Sequence, residues 1–317
     1  MPMAALLCSP LAADVRTREK TLIKFEGMLG RVVGIFGGKA AREGIVSTTT
    51  VKGDRKATMS DNSGQIIDIA EEKIYDLDLK KKEYKVTTFD EMRRRMKEAQ
   101  ERAEKDMREA ERQEQEKPDE PTKEWELDFD AKETGQKKQI AGHDARQVIM
   151  TVTLREKGVA LEESGGMVMT SDAWLGPDIP ALKELSDFET RYYKKLYGEE
   201  TFGLAAEQMA MVLAMYPMLK QASDRLKQES TKLQGTPLAT TTTFEAVKSK
   251  AALEQSAEQS GGGGGGGIGG MLARKIQKPE PPKARTTIFT TQHEFQDVAT
   301  LVDAAGVSIP AGFKEKK

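Results

Sequence analysis

Cysteine is almost absent. The 317-residue chain carries one, Cys8, so no intrachain disulfide can form and cysteine usage is silent about compartment. Histidine is nearly as scarce. His143 and His293 are far apart, neither has a partner at metal-ligand spacing, and Cys8 cannot complete a site. Aromatic residues make up 6% and do not interleave with a basic stripe, which argues against a stacking platform for single-stranded nucleic acid. A net charge of −2 creates no field toward nucleic acid or anionic lipid. No run approaches the ~20 apolar residues of a membrane span. No Gly-x-Ser-x-Gly elbow anchors a hydrolase triad. Gly38-Lys39 invites a phosphate-loop reading and fails on spacing. Val33 stands where the first glycine belongs, and Ala40 replaces the hydroxyl residue that would hold magnesium. Asp76 and Asp78 share a strand face and invite a cation, but an exposed strand face explains them better. No cofactor, metal or catalytic constellation is read, and the chain is expected not to be an enzyme.

What is present is a run of short strands over residues 43–89. GIVSTTTV (44–51), RKATMS (55–60), QIIDIA (65–70), IYDLDL (74–79) and EYKVTT (83–88) are separated by turns such as KGD and DNSG. β-Branched residues suit a pleated surface, and three- or four-residue polar turns make an antiparallel meander. One face should be buried and the other wet. Residues 14–26 (DVRTREKTLIKFE) form a first strand. GMLGRVVGIFGGKAA (27–41) reads as an apolar segment against the sheet or an exposed lip near a cavity.

The meander runs into a long helix over 89–117. Phe89, Met92, Met96, Ala99, Ala103 and Ala110 form a thin apolar stripe, and pairs such as Glu98–Arg102 and Glu104–Arg108 lace the rest. So polar a helix packs weakly; it lies on the surface or offers itself to a partner. KPDEPTK (117–123) is a linker. Strand patterns resume from Trp125 to Asp130, where apolar and acidic residues alternate. Thr134-Gly135 reads as a turn into 137–142, His143-Asp144 leads a strand over 145–156, and GGMVMTSDAW (165–174) is another. A helix follows over 181–197. A second spans about 204–233, with Met211, Met215 and Met218 in a stripe and Pro217 kinking it. Methionine there is either core or ligand lining. Residues 237–250 and 285–298 are strand-like, and the glycine run at 260–270 is a linker. AALLCSPLAA (4–13) reads as the end of a secretory signal; the alternative is a frayed apolar terminus.

The strand order and several motifs carry a resemblance. QIIDIAEEKIYDLDLKKKEYKVTTFDEM (65–92), KQIAGHDARQ (138–147), MVMTSDAW (167–174) and the closing IPAGFK (309–314) resemble segments of the DUF4412 proteins, bacterial envelope proteins similar to the LolA/LolB lipoprotein-carrier superfamily. His143 and Ala145 depart from the family's tyrosine and cysteine. The long helix, the Met-rich segment and the glycine run lie outside the resemblance. It implies an α+β fold: a curved antiparallel β-sheet, an incomplete LolA-like barrel, with covering helices and one long charged helix. Residues 1–13 would be a signal-peptide remnant. Residues 14–317 would be one domain with helical insertions at about 89–117 and 181–233. In relatives of that shape the cavity holds acyl chains. The expectation is therefore a periplasmic or envelope protein binding a lipid or lipoprotein acyl chain between sheet and helices. Its candidate lining is Leu29, Val33, Phe36, Trp174, Met211, Met215 and Met218. The alternative is a structural or interaction module with a filled core and an envelope partner on the 89–117 helix.

Overall fold

A computed structural model describes residues 14–26, 42–114, 124–198, 224–261 and 284–316. The expected signal remnant, the 27–41 segment with Leu29, Val33 and Phe36, and the 117–123 linker lie outside the described residues. So do most of the second helix, with Met211, Met215, Pro217 and Met218, and nearly all of the glycine linker.

Among the described residues twelve strands form one open sheet. They are β1 (Val15–Phe25), β2 (Ile45–Lys52), β3 (Arg55–Met59), β4 (Ser63–Asp68), β5 (Lys73–Asp78), β6 (Glu83–Thr88), β7 (Trp125–Ile140), β8 (His143–Glu156), β9 (Gly166–Gly176), β10 (Thr236–Val247), β11 (Arg285–Ala299) and β12 (Lys314–Glu315). Their spatial order is β12-β6-β5-β4-β3-β2-β1-β11-β10-β9-β8-β7. Every pairing is antiparallel except β12 on β6. Two meanders, β2–β6 and β7–β10, are joined through β1 and β11 at the centre. β7 and β12 are the free edges, so the sheet does not close on itself.

The first meander follows its sequence pattern closely, but its second face is not wet. Ile66 and Ile67 are both buried, as are Ile74 and Tyr75, although neighbours in a strand point to opposite faces. One face lies under helix α3 (Pro180–Tyr197), where Phe188, Tyr192 and Leu196 pack with Val15, Val51, Ile67, Ile74 and Phe89. The other lies under the C-terminal segment, where Val307, Ile309 and Phe313 pack with Ala57, Ile66, Tyr75 and Leu77. Local periodicity cannot announce cover that arrives from more than 200 residues away.

Helix α3 starts with Pro180, whose missing N–H is one of the unbonded donors of a first turn, and stops at Gly198 with φ +84°. Its buried positions Ala181, Phe188, Tyr192 and Leu196 recur at helical spacing. Fully burying Phe188 contributes roughly 2–3 kcal/mol. Helix α1 (Phe89–Glu114) packs through its first turn: Phe89 is buried and Met92 touches the same cluster. Arg93 anchors that turn by donating to the carbonyls of Lys195 and Leu196 at the end of α3. From Lys97 to Asp106 every side chain is exposed, as the sparse stripe foretells.

Three expectations change. Thr134-Gly135 is not a turn: β7 runs through it as one 16-residue strand with a bulge between Glu133 and Lys137. Gly135 takes φ +79° there, and the added twist of a bulge satisfies a glycine as well as a turn does. The hairpin turn is Ala141-Gly142, with φ +49° and +80° and Ile140 paired to His143. Both central residues at positive φ make it a two-residue primed turn. Two short helices, α2 (Leu161–Ser164) and α4 (Lys250–Gly261), stand where the sequence pattern predicts none, and the second reaches the first glycine of the run. The described end of the second helix is a 3₁₀ turn, Glu229–Leu233.

Candidate functional site

The cross-strand registers assemble a feature that no single strand displays. Phe129 pairs with Val152, Val152 with Met169, Met169 with Phe244, Phe244 with Phe289, and Phe289 with Phe25. These six residues form one apolar row across β7, β8, β9, β10, β11 and β1. Five inter-strand steps make it about 24 Å long. The rings of Phe244 and Phe289 stack at 4.3 Å, and Phe25 lies 6.0 Å from Phe289.

Neighbouring rows extend the surface. On one side stand Leu127, Leu154, Met167 and Ala246. On the other stand Ala131, Met150, Ser171, Thr242, Thr291 and Ile23. None of these sixteen residues is charged. The opposite face of the same strands reads Asp130, Thr151, Thr170, Thr243, Thr290, Lys24 in one row and Lys132, Ile149, Asp172, Thr241, Gln292, Leu22 in the next. Such a division of apolar from charged across six strands is what a sheet shows when one face meets water and the other meets apolar matter.

The apolar face is nonetheless incompletely covered. Of the nine exposed large hydrophobic residues among those described, Ile23, Phe25, Ile45, Trp125 and Met167 all lie on it, at 37–52% exposure. The register makes it the face on which α3 packs. Along β1 the inward side chains pass from buried Val15 and Thr17, through half-buried Glu19 and Thr21, to exposed Ile23 and Phe25. Helix α3 covers the first end, and the second end lies beyond it. Leu233 covers another corner, against Val148, Ala173 and Leu175.

A polar network stands at that border. Glu19 Oε2 lies 2.7 Å from His293 Nε2, and Glu19 Oε1 accepts from Thr49 at 3.1 Å and Thr17 at 3.3 Å. The His293 bond, aided by the threonines and opposed by burial, holds the Glu19 carboxyl below its ordinary range. The imidazole edge meets Phe295 at 5.0 Å. Thr21 and Thr240, which flank His293 on the neighbouring strands, extend the hydroxyl border.

Trp174, the one expected lining residue among those described, stands on the charged face, away from α3. It pairs with Ala239 and Gln147, and the Lys138 ammonium sits 4.1 Å above its ring. A cavity of about 230 Å³ opens there among Lys20, Leu22, Trp174, Thr241, Gln292 and Glu294. Strand parity decides the placement: Ala173 faces Val148 and the covered corner, so Trp174 points the other way. A second depression, of about 470 Å³, lies between α1 and α3 on the first meander. Tyr192, Tyr193 and Tyr197 line it with Met92, Lys56 and Glu189. Its charges are internally matched, Lys56 to Glu189 and Arg95 to Glu91, and Gln65 donates to Asp76 at 2.8 Å.

Among the described residues no group of His, Cys, Asp or Glu is placed to hold a metal ion, and no helix is long and apolar enough to cross a membrane. No protein-family model, curated protein or solved structure matches this chain.

Proposed function

We propose that the protein is a non-enzymatic binder of a hydrophobic ligand, a lipid or lipoprotein acyl chain, held against the α3 side of the sheet. The observation that carries this reading is the uncharged row from Phe129 to Phe25, flanked by exposed Ile23, Trp125 and Met167. An apolar surface of this continuity is costly to leave in water, at roughly 25 cal/mol per Å². Its length of about 24 Å exceeds the ~15 Å that one leaflet contributes to a bilayer's hydrocarbon core, so a single acyl chain fits along it. The open sheet with a helix over one face agrees with the LolA-like architecture that the motifs at 65–92, 138–147 and 309–314 suggest. A periplasmic or envelope location belongs to the same reading.

The competing reading is a structural or interaction module. It draws on the filled core between α3 and the first meander, and on the exposed surface of α1 from Lys97 to Asp106. Native mass spectrometry of protein purified from an envelope fraction, with organic extraction of what co-purifies, separates the two. A stoichiometric lipid or lipopeptide is the expected result. A clean apo mass, with no later uptake of a fluorescent fatty acyl probe, overturns the binding reading and leaves the module.

A further inference from the structure

Granting that the apolar face takes an acyl chain, its border specifies the other end of the ligand. We infer that the ligand is an uncharged amphiphile, of the acylglycerol or fatty-alcohol class, whose hydroxyl or ester end lies on the Thr21–His293–Thr240 row, and that Glu19 excludes fatty acids and other anionic lipids.

Two observations lead there. The first is the absence of a counter-charge. In the three rows from Leu127, Phe129 and Ala131 there is no lysine or arginine, and Arg146, at the far corner, is committed to Glu133 and to the carbonyls of Lys232 and Gln234. Lys232, which donates to the Ala131 carbonyl at the same corner, is paired with Glu229. Among the described residues, an anionic head placed on these rows would therefore lose its hydration without an uncommitted cation to pair with. His293 does not supply one, because its Nε2 faces the Glu19 carboxylate at 2.7 Å. The second is the chemistry that is offered. Glu19, with His293, Thr49 and Thr17 as donors, is held ionised and stands one strand position beyond Thr21 on the same face. It repels a second carboxylate or phosphate. The hydroxyls of Thr21, Thr240, Thr242, Thr291 and Ser171 lie in two adjacent rows between Glu19 and the phenylalanines. Hydroxyls donate and accept without charge, which suits alcohol and ester groups.

The test is displacement of an uncharged fluorescent probe, 1-aminoanthracene, at mildly alkaline pH and fixed salt. The competitors share one saturated chain: monopalmitoylglycerol, hexadecanol and palmitate. The expected order puts both neutral ligands at least about tenfold ahead of palmitate, the scale of one like-charge contact at partial burial. Glu19→Gln should narrow that gap to about threefold or less. Thr240→Lys, on a half-buried position, should supply the missing counter-charge and reverse the order, and it carries the test if Glu19→Gln does not fold. Palmitate binding as well as monopalmitoylglycerol in the unmodified protein overturns this inference and leaves acyl binding standing. No probe uptake at all overturns acyl binding itself.

Discussion

Truncating one phenylalanine in each half of the sheet should cost very different amounts. Phe188 is wholly buried under α3 with Val15, Val51, Ile67 and Leu196. Phe188→Ala removes the transfer energy of the ring and leaves a cavity that a helix packed across the sheet cannot fill. The expected loss is about 3–5 kcal/mol. Phe289 sits in the apolar row and is half-buried. Half of a full burial is roughly 1 kcal/mol, and the stack on Phe244 adds about 0.5–1.5 kcal/mol. Phe289→Ala should therefore cost about 1.5–2.5 kcal/mol. Urea unfolding followed by far-ultraviolet circular dichroism reads both, provided the slope with urea is unchanged between variants. A Phe289→Ala loss equal to that of Phe188→Ala would mean that the row is ordinary closed core rather than an incompletely covered face.

Three further outcomes are expected. Val307→Asp places a carboxylate against Ile66, Tyr75 and Leu77 and should cost more than about 3 kcal/mol, with amide exchange rising in β3–β6 and unchanged in β8–β10; uniform exchange across the sheet would refute the idea that the C-terminal segment caps one meander. Gly235→Ala should cost about 2–3 kcal/mol, since φ is +108° and the new Cβ would lie 2.3 Å from the Gly176 carbonyl oxygen. Gly158→Ala, at φ +74° in open space, should cost about 1 kcal/mol, so equal midpoints in thermal melts would be wrong. Burial pushes Tyr75 and Tyr192 up to about 12, with the Glu71 carboxylate accepting from the Tyr75 hydroxyl. The fold thus favours their neutral forms. That stability is complete below the ordinary tyrosine value of about 10 and is lost as pH rises through about 12. Ultraviolet titration should find both still protonated near pH ~11, and full ionisation there without unfolding would contradict it.

How much of this was written in the sequence depends on the range of the interaction. The strands from 15 to 88 were legible because turns such as KGD and DNSG, with β-branched runs between them, act within a few residues. The weak packing of α1 was legible too, since its apolar stripe thins to alanine after Met96. The Gly135 bulge was not, because a glycine at positive φ serves a turn and a bulge equally. Trp174 shows a different limit. Period-2 alternation says that Trp174 and Ala173 oppose each other, but not which of them faces the helix. The row from Phe129 to Phe25 was invisible for a related reason. Each member is an ordinary apolar residue in its own strand, and only five registers, set by turns and bulges scattered between Phe25 and Phe289, bring them into line. Phe244 and Phe289 carried a usable hint, since each is an aromatic beside a run of threonines in a long strand.

The most direct test of the binding face uses the two tryptophans, which the sheet places on opposite sides. Trp125 shares its face with Leu127 and Phe129 and is 41% exposed, whereas Trp174 lies beneath Lys138 on the charged face. Single-tryptophan proteins made by Trp174→Phe and Trp125→Phe would be titrated with a monoglyceride brominated in its acyl chain, bromine quenching only at contact. Quenching of Trp125 with Trp174 unchanged is the predicted result. Quenching of Trp174 alone, or of neither, would contradict a ligand on the α3 side of the sheet.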